Sequence, residues 1–194
     1  MQMISDPRTI LQSEEPLIIS CNQKSITGEL IDFGTGLPNV PPCCHSMNSI
    51  DQGKFVSQSP AGYNEIPMSE YMVPDTQLII AELVNSNAAF IEAFRMSVLA
   101  KLKGPWYRKV YNWLQIFGQA VHLPWISFPG LDDCSQDTIF HLKAAALNLP
   151  QADNEIIQAI GNNFNPEQLL AYQINFPEVF NLKYYYDSSV GELA

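Results

Sequence analysis

The chain has 194 residues, 46% of them hydrophobic and only 15% Asp, Glu, Lys or Arg, which suits one domain with a real core and rules out a disordered polymer. Its formal net charge of -10 argues against general nucleic-acid binding, because phosphate contacts need several spread cations to outweigh repulsion from everything else. No apolar run approaches the ~18 residues of a spanning helix, and the N-terminus lacks a signal-peptide pattern, so a soluble, cytoplasmic protein is expected.

Residues 1–15 read as a polar lead-in. Residues 16–21 have β-branched character, residues 22–25 read as a turn and residues 26–33 alternate imperfectly, which together predict a β-hairpin. A two-stranded hairpin is marginal in water, so its edge is an expected docking surface for another chain. Gly34 and Gly36 supply two glycines of a dinucleotide loop but lack the third and the following helix, so no nucleotide site is expected. From 39 to 74 the chain is rich in Pro, Ser, Asn and Gly. With Pro41, Pro42, Pro60, Pro67 and Pro74 forbidding a continuous helix, it reads as an irregular arm anchored by Tyr63, Ile66, Met68, Tyr71 and Met72.

Behind Pro74 a helical pattern is expected to begin, with Asp75 or Thr76 as its cap. Leu78, Ile79, Leu83, Ala88, Ile91, Phe94, Val98, Leu99 and Leu102 keep one stripe apolar at the 3.6-residue period. Asn85, Ser86 and Asn87 interrupt it, which gives either one bent helix or two, the second over about 86–103. Gly104 and Pro105 end that helix and open a third over 105–121, followed by a buried apolar connection at 123–130. Asp133 with Gln136 forms a capping box for a helix that Pro150 stops, a short helix follows over 153–160, and Asn165, Pro166 and Glu167 open another through about 174. Tyr184, Tyr185 and Tyr186 predict a last strand pairing with the hairpin. The fold class so read is mainly α with a small N-terminal β-hairpin (α+β). A hairpin-and-arm region at 1–74 precedes a compact helical domain at 75–194.

Five of the ten basic side chains, Arg95, Lys101, Lys103, Arg108 and Lys109, fall within fifteen residues, forming a basic corner that would meet an anion or an acidic peptide. Lys101 and Lys103 suit a helix C-terminus at ~0.3–1 kcal/mol each, whereas Arg108 and Lys109 begin the next helix and require something acidic to offset them. Cys43, Cys44 and His45 are the densest soft-ligand cluster and form a weak alternative metal site, short of the four ligands structural zinc wants. With no CxxC spacing, the four cysteines are read as reduced thiols. His122 would cap the third helix or, with Trp113 and Trp125, line a pocket for an apolar small molecule. His141 is read as packing, and Asp132 and Asp133 as capping.

No HExxH, Walker loop or GxSxG elbow is present, and no cofactor is expected. The sequence therefore favours a non-catalytic accessory subunit that binds another polypeptide, such as a larger enzyme subunit or an acidic peptide, and presents a peptide substrate to an enzyme partner. The alternative is a small helical enzyme or carrier acting on an apolar small molecule, with His122 as its polar group.

Overall fold

The computed structural model describes residues 1–10, 16–23, 37, 39–51, 54–59, 61–105, 109 and 133–191. Its frame is a seven-stranded mixed sheet rather than a helical body. The strands are β1 (Gln2–Met3), β2 (Leu17–Gln23), β3 (His45–Asp51), β4 (Lys54–Ser59), β5 (Gly62–Pro67), β6 (Thr76–Leu83) and β7 (Phe180–Asp187), in the spatial order β1-β7-β6-β2-β3-β4-β5. All neighbours are antiparallel except β1 and β7. The helices are α1 (Ala88–Lys103), α2 (Cys134–Ala146), α3 (Gln151–Gln158), α4 (Pro166–Asn175) and the single turn α5 (Ser188–Gly191). The expectation of a mainly helical chain with one small hairpin is thereby overturned in favour of an α+β fold.

Two misread stretches account for the difference. Residues 76–83 form a central strand, β6, with β2 on one side and β7 on the other. Because both of its faces are covered, Leu78, Ile79, Ile80 and Ala81 are all buried, and a continuous apolar run lacks the alternation that separates strand from helix. The expected irregular arm is a meander of three strands, β3 to β5, ending in a 3-10 turn at Met68–Tyr71. Here Ser46, Asn48, Ser57 and Gln58 occupy buried positions, so polar residues stand where apolar ones would have marked a strand face. Pro41, Pro42 and Pro74 lie between strands and Pro67 at the end of β5, where a missing N–H costs no ladder bond, and Pro60 lies outside the described residues.

β2 is flanked by β3 and β6, so it is not the marginal edge that the hairpin reading supposed. Its expected mate at 26–33 lies outside the described residues, as does all but Pro105 and Lys109 of the helix expected over 105–121. The last strand is present as β7, paired with β6 and β1 instead of with the hairpin. Both capping boxes are formed, Asp133 with Gln136 opening α2 and Asn165 with Gln168 opening α4. Asn87 caps α1 by accepting from the Phe90 amide at 2.9 Å.

The helices cover one face of the sheet, where Phe90, Phe94, Val98, Ile139, Leu142 and Leu169 meet Ile18, Val56, Ala81 and Phe180. On the other face Leu17, Ile19, Met47, Phe55, Leu78 and Ile80 pack under Met68 and Tyr71. Full burial of each such side chain stabilises the fold by about 1.5–3 kcal/mol before entropy is counted, so this double-sided core holds β3 and β4 firmly against α2. Among the described residues no helix is long and apolar enough to cross a membrane.

Candidate functional site

Cys134, Asp137, Thr138 and His141 recur at helical spacing, which places them on one stripe of α2, and all four are buried. The Asp133 cap fixes where this stripe begins. Its carboxylate accepts from the Gln136 amide at 2.8 Å, the Gln136 side-chain oxygen accepts from the Asp133 amide at 3.2 Å, and the Ser135 hydroxyl lies 2.7 Å from the Phe164 carbonyl. Cys134 is therefore the first residue of α2, where the helix itself offers no acceptor to the leading amides and its dipole favours negative charge.

The strand β3 approaches the Cys134 thiol at Ser46. The backbone amide of Ser46 faces the sulfur and favours its thiolate. One residue earlier, at the start of β3, stands His45, whose Nε2 lies 2.6 Å from the Ser57 hydroxyl on β4. Ser57 Oγ also sits 3.4 Å from the carbonyls of Ser46 and Gln58, so it can pass its proton to the backbone while accepting from an Nε2–H. That arrangement leaves Nδ1 as the nitrogen able to accept a proton. The ring of Tyr71 stacks on His45 with centroids 6.1 Å apart and planes 14° from parallel, and Tyr71 lies close enough to Cys134 to feel its charge.

Burial dominates the electrostatics here. Although part of the imidazole surface stays open, burial lowers the His45 pKa to about 4, so the ring is neutral at ordinary pH. Burial pushes the Cys134 thiol well above its usual range and the Asp133 carboxylate adds to this, while the Ser46 amide opposes both. The thiol and the imidazole are thus both neutral at rest. Cys21, Cys43 and Cys44 gather at the same place without any disulfide. The Cys44 sulfur points to the Cys21 carbonyl at 3.5 Å and the Cys43 sulfur to the His45 carbonyl at 3.4 Å.

A second cluster lies further along the stripe. His141 Nδ1 is 2.7 Å from the Ser97 hydroxyl of α1, and its Nε2 is 2.9 Å from the Tyr63 hydroxyl of β5 and 3.1 Å from Asp137 Oδ1. Lys101 Nζ meets the same carboxylate oxygen at 2.8 Å and lies over the Tyr63 ring, 4.9 Å from its centroid. Ser97, His141 and Asp137 have the connectivity of a serine triad, but Ser97 sits in mid-helix, where backbone amides are already spent on the helix. Among the described residues no oxyanion donors are shown beside it, so within them this cluster lacks the most valuable part of an acyl-transfer site. It ties α2 to α1 and β5.

The described members of the basic corner take different environments. Lys101 turns inward to Asp137, Lys103 faces solvent at the end of α1, and Arg95 is half-buried. Lys109 is half-buried and uses its carbonyl to accept from Gln58 Nε2 at 2.7 Å, and Arg108 lies outside the described residues. Trp113, His122 and Trp125 lie outside them too. Cys43, Cys44 and His45 are consecutive in space, yet both sulfurs engage backbone carbonyls and His45 Nε2 engages Ser57, and among the described residues no group of three His, Cys, Asp or Glu is arranged for a metal ion.

Sequence reasoning passed over Cys134, Ser57 and the Asp137–His141 pair. Two signals for them were available: a cysteine directly behind a capping aspartate, and an aspartate four residues before a histidine in a helix. Comparison of the chain with protein-family models gives no match, and comparison with curated proteins gives none either.

Proposed function

We propose that the chain is a thiol-dependent acyl-transfer enzyme acting on an amide, ester or thioester, with Cys134 as nucleophile, His45 as general base and Ser57 holding His45. The observations behind this reading are a thiol on the first residue of a helix, faced by the Ser46 amide of β3, and on the preceding residue of that strand a neutral imidazole tethered through Nε2 to Ser57. A helix N-terminus favours the thiolate and supplies amides for an oxyanion, and an adjacent base activates the sulfur.

In the first step the Cys134 S–H proton passes to His45 Nδ1 as the sulfur bonds to the carbonyl carbon. The carbonyl oxygen carries the charge towards the leading amides of α2. His45 then returns that proton to the leaving amine, alcohol or thiol as the carbon–heteroatom bond breaks, which gives a thioester. Water releases the acid by the same path, giving its proton to His45 while sulfur leaves, and His45 reprotonates the sulfur. Because the thiol is buried, the carbonyl must approach from the side on which His45 keeps part of its surface.

Three features bear on the alternative, a partner subunit: β2 lies between β3 and β6, residues 45–67 of the expected arm form a meander, and Lys101 meets Asp137. A reducing compartment such as the cytoplasm suits four unlinked thiols.

Iodoacetamide at limiting concentration, followed by peptide mass spectrometry, tests the assignment. Cys134 should be alkylated before Cys21, Cys43 and Cys44, and its preference should vanish in His45→Ala. Equal labelling of all four thiols, appearing only as the protein unfolds, refutes the proposal.

A further inference from the structure

His45 has one polar tether, the bond from Nε2 to Ser57, and a ring held at one atom can pivot about it. What blocks the pivot is Tyr71, the last residue of the 3-10 turn that follows Pro67 directly, buried with Met68 against Leu17, Ile19 and Met47. Centroids 6.1 Å apart and planes 14° from parallel fall within the offset-stacked range for two flat rings. We propose that Tyr71 is a positioning residue for His45, its stacked ring fixing the plane of the imidazole and shielding it from water so that Nδ1 keeps one direction. The catalytic consequence rests on the acyl-transfer reading, whereas the effect on the imidazole itself does not.

The neighbours of His45 leave burial as the controlling influence. From β2 comes Cys21, its cross-strand partner, and from the segment before β3 come Cys43 and Cys44. Cys134 and Asp133 lie at the head of α2, Ser57 on β4, and Glu70 beside Tyr71 in the 3-10 turn. Burial raises the Cys21, Cys43 and Cys134 thiols, which are therefore uncharged at neutral pH. Among the described residues burial alone accounts for the lowered His45 pKa, and the stacked Tyr71 ring covers part of the imidazole.

The experiment follows the His45 ring by proton NMR during pH titration of the wild-type protein, Tyr71→Phe and Tyr71→Met. The wild type should titrate near pH 4, Tyr71→Phe close to it, and Tyr71→Met at least about one unit higher, a tenfold change in proton affinity. Alkylation of Cys134 by iodoacetamide should fall in Tyr71→Met and recover in Tyr71→Phe. A His45 midpoint unmoved in Tyr71→Met overturns the proposal, as does a shift in Tyr71→Phe as large as in Tyr71→Met, which would assign the effect to the hydroxyl. Should Tyr71→Met fail to fold, the wild type decides: nuclear Overhauser contacts between the Tyr71 ring protons and the His45 ring are required, and their absence overturns it. A His45 midpoint that follows Tyr71 while Cys134 labelling ignores His45 would keep the positioning role and discard the acyl-transfer reading.

Discussion

Replacing Lys101 with Met keeps the length of the side chain and removes its charge from one of the most enclosed ion pairs in the molecule. The lysine side chain is 9% exposed and the Asp137 side chain 1%, so water cannot take over from the missing ammonium. Asp137 would keep His141 Nε2 at 3.1 Å on Oδ1, and its Oδ2 already has no partner. Removing one member of a buried pair typically costs about 3–5 kcal/mol, because the other charge stays behind uncompensated. In the intact protein burial works to raise the Asp137 pKa, but His141 and Lys101 together outweigh it and hold the carboxyl below its ordinary value. A depressed carboxyl contributes stability above the unfolded pKa of about 4, and that contribution is lost as pH falls through the folded pKa. Without Lys101 burial prevails and the pKa rises, so the variant regains stability as acid protonates Asp137. Urea unfolding of the wild type, Lys101→Met, Asp137→Asn and the double variant, at neutral pH and near pH 4.5, measures this. The cost of Lys101→Met should shrink at the lower pH and be smaller when Asp137→Asn is present. A cost under about 1 kcal/mol, or one that is equal at both pH values, would refute the argument.

Two further expectations concern the head of α2. Asp133→Ala should cost about 0.5–2 kcal/mol in urea unfolding through loss of the capping box, while Asp133→Asn should keep most of the cap. Because the Asp133 charge raises the Cys134 pKa, Asp133→Asn should also speed alkylation of Cys134 at fixed pH, and unchanged labelling would count against that coupling. His45 sets a separate pH dependence: its folded pKa of about 4 lies below the ordinary histidine value of 6.5, so the unfolded chain binds the proton more tightly. Stability from keeping it neutral is present above about pH 6.5 and falls between there and about pH 4, by at most about 3 kcal/mol, and this component should disappear in His45→Gln.

The helices after residue 133 were legible because their signals are local. Asp133 with Gln136 and Asn165 with Gln168 are side chains bonding to amides three residues away, and both boxes form as the sequence implies. What the sequence hid was tertiary. A run such as Leu78 to Ala81 is compatible with a buried helix or a central strand, and only pairing with β2 and β7 decides between them. In β3 and β4 the hydrophobic pattern was masked by Ser46, Asn48 and Gln58, side chains that belong to the polar seam under α2. The candidate site was hidden for the same reason. Cys134 and His45 stand 89 positions apart in the sequence, and nothing in the residues between them announces that β3 will lie beneath the first turn of α2.

The two polar clusters on α2 also explain each other. Buried polar groups are costly unless bonded, and among the described residues the seam leaves the Asn48 side chain, the Gln58 side-chain oxygen and Asp137 Oδ2 without hydrogen-bond partners. A helix needed only for packing would present leucines there and be more stable. Along this stripe the Lys101–Asp137–His141 network grips α1 and β5, and two turns away the thiol meets the imidazole-bearing strand. A nucleophile has to be held within a fraction of an ångström of its base, and hydrogen bonds of fixed direction hold a helix in register more tightly than apolar contacts, which permit sliding. On this view the stability given up along the seam places Cys134. Substitutions such as Asp137→Leu with Lys101→Leu should then raise resistance to urea while lowering the preference for alkylation at Cys134. Loss of both together would mean that the network serves the fold alone.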